Sequence, residues 1–216
     1  MLLKARDTTL TDLSDFTQAN IIPDVIGIEG GYVNNSADQG GATNWGITQT
    51  TANKYAAYLK STYSWDGTMQ NLSQQMATYI YIQEYWNVMD LDNVLAVNEY
   101  TPLLADLLFE AGVNLGTGTV AKYFQTALNV LNNQGSYYSD ITVDGNIGPG
   151  TVSALTSLLS ARPDDGIQNL LWMISAQIGN DYIQIAVKNE SQETFESGWE
   201  NRARTQYNSY ISLLPS

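Results

Sequence analysis

The segment Glu29-Gly-Gly-Tyr-Val-Asn-Asn-Ser-Ala-Asp38-Gln-Gly-Gly-Ala-Thr43-Asn-Trp-Gly-Ile-Thr48 sets one carboxylate behind an apolar run and a second inside a Gly- and Asn-rich stretch. Two carboxyl groups in unlike surroundings can divide acid–base work, one holding its proton and the other staying ionised. Hydrolysis of a glycosidic bond asks for that division: one group protonates the leaving oxygen, while the other activates water or stabilises positive charge on the sugar. Glu29 suits the acid role. It follows Ile21, Ile22, Val25, Ile26 and Ile28, and a helix ending there would add a partial negative charge; both disfavour ionisation and raise its expected pKa. Asp38 lies among Ser, Asn, Gln and Gly, where water and backbone amides keep a carboxylate charged. On residue chemistry alone, a Glu before Gly-Gly reads equally well as a solvated residue at a helix stop.

Composition narrows the alternatives. The 216-residue chain has no Cys and no His. Thiol nucleophiles, disulfides and thiolate metal sites are therefore excluded, and the Ser-His-Asp relay and the usual imidazole-ligated zinc sites go with them. Proton transfer near neutral pH then falls chiefly to carboxyl groups. A formal charge of −13 with only nine basic residues argues against nucleic acid and against an anionic membrane surface. The same charge repels anionic polymers at long range, so binding to one must rest on short-range contacts. No run of about 18 apolar residues suggests membrane insertion.

The carboxylates need elements to hold them, and the hydropathy pattern predicts mainly helices. Apolar spacing predicts a helix from Asp15 to Glu29, kinked or restarted at Pro23, then loops or short hairpin strands over 32–47. Helices are expected over Thr51–Leu59 and Leu72–Trp86, followed by a loop over Asp90–Tyr100. Leu103–Val113, nearly all apolar, reads as the central buried helix. Val120–Leu131 and Val152–Leu159 form a helical pair around a turn at Asp144–Gly150; Ile167–Val187 and Gly198–Leu213 complete the chain. The expected fold is mainly α, with a small β-hairpin or loop insertion after the helix that ends at Glu29. The chain divides into an N-terminal extension (1–14), a region carrying the carboxylates (15–100) and a helical region (101–216) packed into the same body.

Other residues carry weaker cases. Tyr32, Trp45 and Trp86 could stack on sugar rings, although packing is the commoner role for such aromatics. Asn114 in Val-Asn-Leu-Gly could bind an acetamido group, but reads first as a helix cap or turn residue. Asp144 lacks the ligand series of a calcium loop and reads as a turn. Glu110, in the central helix, is expected to accept hydrogen bonds that hold the active-site loop. No metal site emerges.

The string EGGYVNNSADQGGATNWGIT resembles the signature of glycoside hydrolase family 108, the lysozyme-like endolysins and secretion-associated muramidases. Tyr81-Ile-Gln-Glu-Tyr-Trp86 and Phe109-Glu-Ala-Gly-Val-Asn-Leu-Gly116 resemble further elements of that family. Phe124-Gln-Thr-Ala-Leu128, Asp144-Gly-Asn-Ile-Gly-Pro149 and Gly198-Trp-Glu-Asn-Arg202 resemble the peptidoglycan-binding-type segment that follows it. The resemblance spans roughly residues 18 to 210 and departs at Asn35-Ser36 and Gln39, where many members carry Pro. It implies a lysozyme-like helical fold and an N-acetylmuramidase cleaving the β-1,4 bond between N-acetylmuramic acid and N-acetylglucosamine, without a cofactor. Glu29 is then the essential acid. Asp38 and Thr43 fit the Glu-Asp-Thr spacing of phage lysozymes, where they would hold the attacking water or support the sugar cation. Tyr32, Trp45 and Asn114 become substrate-binding candidates. The implied partner is the glycan strand of peptidoglycan, and the implied role is host lysis by a monomeric phage endolysin. MLLKARDTTLTDLSDF lacks the apolar core of a secretory leader, so synthesis in the cytoplasm and passage to the periplasm or wall through a holin pore or secretion channel is expected. The competing expectations are a non-catalytic wall-binding or secretion-accessory protein on the same fold, and a lytic transglycosylase, which leaves a 1,6-anhydro end.

Overall fold

The computed structural model describes residues 12–33, 42–190 and 196–215, the side chains of 28, 29, 196, 197 and 199–202 excepted. The described chain is mainly helical with one two-stranded antiparallel hairpin, as the hydropathy pattern predicts. It forms two compact units, one of residues Gln18–Glu84 and one of Tyr85–Ser216 with the residues up to Thr17.

In the first unit, α1 (Gln18–Glu29) runs unbroken through Pro23. The proline removes a backbone donor inside the helix, yet Ile21, Ile22, Val25 and Ile26 on one face are completely buried, and that packing outweighs the lost hydrogen bond. The helix starts later than its apolar spacing suggests, because Leu13–Asp15 form a separate 3-10 turn closed by an Asp12–Asp15 capping box. Gly30, at φ +77°, terminates α1 in the left-handed region that glycine enters at little cost.

Strands β1 (Thr43–Asn44) and β2 (Ile47–Thr48) pair with Thr43 opposite Thr48 and Asn44 opposite Ile47. The two turn residues between them, Trp45 and Gly46, both have positive φ (53° and 73°), the requirement of a tight hairpin whose twist matches its strands. Thr48 then caps α2 (Gln49–Lys54) through its side chain. The single helix expected over 51–59 is two, since the chain bends at Tyr55 before α3 (Ala56–Tyr63). Helix α4 (Gln74–Tyr81), capped by Ser73, buries Met76, Ala77, Ile80 and Tyr81 and packs against α1. It continues into a π-helical turn at Ile82–Trp86.

The second unit is built around α6 (Thr101–Leu115), in which every residue from Leu103 to Gly112 is buried, as expected for the central helix. The predicted loop before it contains a short helix, α5 (Leu91–Leu95), whose Leu91 and Val94 are buried; five residues are too few for a helical period to show in sequence. Helices α7 (Thr117–Leu131), α8 (Pro149–Ala161), α9 (Gly166–Lys188) and α10 (Glu196–Ser212) follow, with α6, α7 and α9 packed on one another and α10 along α9. Among the described residues, no helix is long and apolar enough to cross a membrane.

Candidate active site

Glu29 is the last residue of α1. Three buried isoleucines and a buried valine anchor the helix, so its backbone end is fixed by core packing rather than by local propensity. Its side chain and the whole of Asp38 lie outside the described residues. Thr43, the first residue of β1, exchanges two 2.8 Å backbone hydrogen bonds with Val33. The Thr43 hydroxyl also reaches the Val33 carbonyl, at 3.5 Å. This bridge ties Val33, shortly after Glu29, to the first strand of the hairpin.

The hairpin is itself clamped. Asn44, buried in β1, donates from Nδ2 to the carbonyls of Met69 (2.7 Å) and Leu72 (3.2 Å), and Trp45 Nε1 donates to Leu72 O (2.9 Å). The Tyr81 hydroxyl on α4 donates to the Trp45 carbonyl at 3.2 Å. Trp45 is thus half-buried and engaged in holding the turn, which explains how a non-glycine residue is kept at positive φ. Tyr32 is different: its side chain is 37% exposed and its hydroxyl accepts a 2.9 Å hydrogen bond from Gln70 Nε2. It remains free to offer ring surface beside the Glu29 helix end.

Within this unit the structure brings Tyr32, Thr43 and Trp45 together around the bridge and hairpin that follow α1. Asn114 belongs to the other unit, in the last turn of α6, where Nδ2 donates to the Glu110 carbonyl one turn back at 3.0 Å. Trp86 is completely buried, with Nε1 donating to Asp92 (2.8 Å), and serves packing. Glu110 and Asp106 are buried on one face of α6; Gln206 of α10 donates to Glu110 Oε2 (2.5 Å) and Tyr210 donates to Asp106 Oδ2 (2.7 Å). Glu110 therefore takes a hydrogen bond from the C-terminal helix. Gln70 and Asn44 were not foreseen, since isolated amides in a polar stretch carry no pattern until the fold aims them at Tyr32 and the 69–72 turn.

Nearby, Glu84 accepts hydrogen bonds from Lys54 Nζ (3.1 Å) and the Tyr55 hydroxyl (2.8 Å). Burial, with the hydrogen bond and charge of Glu84 behind it, pushes the Tyr55 phenol up to about 12. Asp144 shows the opposite shift: Gln125 Nε2 and the Asn146 amide hold its carboxyl below the ordinary range. It organises a turn, as its sequence context predicts. Among the described residues, no group of three or more acidic side chains is placed to hold a metal.

A mainly helical body with one small hairpin, in which a core-anchored helix ends at Glu29, is a lysozyme-like fold. In comparison with known proteins, residues 22–116 match the family model described as glycosyl hydrolase 108, and residues 120–204 match the one described as a predicted peptidoglycan domain. Together the two matches support a peptidoglycan hydrolase. Its fold is similar to the solved structure of SagA from Brucella abortus, with a TM-score of 0.55 and 23% identity over 92% of this chain and 96% of that one. No curated protein matches the sequence.

Proposed function

We propose that the protein is an N-acetylmuramidase that hydrolyses the β-1,4 bond between N-acetylmuramic acid and N-acetylglucosamine, and that it serves as a phage endolysin. The observation that carries this reading is the position of Glu29: it closes a core-anchored helix inside the glycosyl hydrolase 108 segment, immediately before the bridge and hairpin that bear Thr43. In this scheme Glu29 donates its proton to the glycosidic oxygen as the C–O bond breaks. Asp38 and Thr43 hold the water that adds to the anomeric carbon, and the proton that water loses returns to a carboxylate. Tyr32 and Trp45 line the approach of the sugar. No cofactor enters the scheme. The protein reaches the wall through a holin pore or a secretion channel.

The test is clearing of purified peptidoglycan by the parent protein and by Glu29→Gln, with mass spectrometry of the fragments. Loss of clearing by about 100- to 10,000-fold in the variant is expected for removal of a general acid, with reducing N-acetylmuramic acid ends from the parent. 1,6-Anhydro ends would instead make the protein a lytic transglycosylase. Binding without release of fragments, on walls of several bacterial types, would leave only an accessory or wall-binding role.

A further inference from the structure

Helix α9 buries Ile167, Leu170, Leu171, Ile174, Ile178 and Tyr182 at helical spacing, yet Trp172 stands outside that stripe and is 55% exposed. Large aromatics left in solvent on an otherwise amphipathic helix call for an explanation beyond core packing. Trp172 does not stand alone. Tyr207 of α10 lies against it, ring centroids 5.3 Å apart at 59°, so the two rings form one angled aromatic surface. They border a groove of about 620 Å³ between α9 and α10. Asn180 and Asn208, both exposed, supply amides along this groove, Arg204 supplies a cation, and Ile183 adds exposed apolar surface.

We infer that this groove is a glycan-binding subsite for the N-acetylated sugar strand of peptidoglycan, separate in sequence from the Glu29 site. Its chemistry fits that ligand on three counts. Pyranose rings offer C–H faces that stack on Trp and Tyr. Acetamido groups need a donor and an acceptor at once, which an Asn side chain provides. The stem peptide of a muramyl residue carries carboxylates, as does the lactyl group where no peptide is attached, and Arg204 is a local partner for them in a chain whose net charge of −13 is otherwise repulsive. Trp172, Asn180 and Arg204 all fall inside the predicted peptidoglycan domain, at residues 120–204. The inference rests on the peptidoglycan reading of the chain and deepens it by placing where the strand is held.

The experiment measures equilibrium binding of the full chain, carrying Glu29→Gln so that the wall is not consumed, to purified peptidoglycan sacculi. Trp172→Ala is expected to weaken binding about five- to tenfold and Trp172→Phe to restore much of it, because phenylalanine keeps a stacking face. Arg204→Gln is expected to weaken binding and flatten its dependence on salt. Val130→Ala, at an exposed position on α7, serves as the control that binds as the parent does. Circular dichroism and thermal midpoints identify any variant that fails to fold; for such a variant, quenching of tryptophan emission by N-acetylglucosamine tetramer, present in the parent and absent in Trp172→Phe, carries the test. Undiminished binding by folded Trp172→Ala and Arg204→Gln overturns the subsite, as does a parent that does not bind sacculi. The outcome is separable from the catalytic reading: reduced binding in these variants with no cleavage by the Glu29 form keeps the subsite and removes the hydrolase.

Discussion

At the scale of single residues, the carboxylate and hydroxyl candidates make unequal demands. Glu29 is asked to transfer a proton and Thr43 only to orient water, so Thr43→Val is expected to lower clearing by on the order of tenfold while Glu29→Gln nearly abolishes it. Equal losses in steady-state assays would give Thr43 a larger role than orientation. Asp38→Asn should fall between them. Tyr55 yields a prediction about stability. Its phenol titrates near 12 in the folded protein against an ordinary value of 10, raised mainly by burial and then by Glu84. A raised pKa stabilises the fold fully below the unfolded value, and that contribution is lost as pH rises from 10 to about 12. Tyr138, raised to about 12 by burial and by Asp140, adds to the same window. Urea midpoints of the parent are therefore expected to fall more steeply between pH 10 and 12 than those of Tyr55→Phe; identical slopes would show that the Tyr55–Glu84 contact does not couple to folding.

At the scale of elements, two glycines that look alike in sequence do different work. Gly145 has φ +84°, and a Cβ there would lie 2.9 Å from the Gly118 carbonyl, a backbone atom that cannot swing away. Gly148 lies in extended backbone with open space around its Cβ position. Gly145→Ala should cost about 2 kcal/mol more than Gly148→Ala, from left-handed strain and steric overlap together. Chemical denaturation of the two variants checks this, and equal midpoints would mean that the α7–α8 connection gives way easily. Trp86 presents the packing counterpart. It is completely buried beside Phe109, with ring centroids 5.6 Å apart, and Trp86→Ala is expected to destabilise by about 3–5 kcal/mol. The helix–hairpin junction at the candidate active site depends on a different device: Asn44 and Trp45 bond to the carbonyls of the 69–72 turn, so the hairpin is positioned by side chains rather than by strand length.

At the scale of the whole molecule, charge sets how the enzyme meets its substrate. A net charge of −13 repels an anionic wall out to about one Debye length, which is about 30 Å at 0.01 M salt and about 10 Å at 0.1 M. Clearing rates are therefore expected to rise as sodium chloride goes from low millimolar to about 0.1 M, the opposite of the behaviour of a basic hydrolase. A monotonic fall over that range would show that short-range ion pairs, Arg204 among them, dominate the encounter. The salt profile of a wall lacking anionic polymers should be flatter.

The sequence alone determined the helical class, because the periods in α6, α7, α8 and α9 are long enough to survive without tertiary context. It also determined the acid–base vocabulary, since a chain with neither Cys nor His leaves carboxylates to do the work. It placed Glu29 at a helix end with loops or short hairpin strands after it, because Gly30-Gly31 stops a helix and the Gly- and Asn-rich stretch behind it favours turns. Tertiary structure decided the rest. Pro23 stays inside one helix because the buried face of α1 outweighs the missing donor, α5 exists because Leu91 and Val94 find a core, and Glu110 meets Gln206, a residue 96 positions away. Such contacts leave no periodic trace. The exposed Trp172 likewise reads in sequence as one more apolar residue of a long helix, and only its pairing with Tyr207 across the α9–α10 groove separates it from the core.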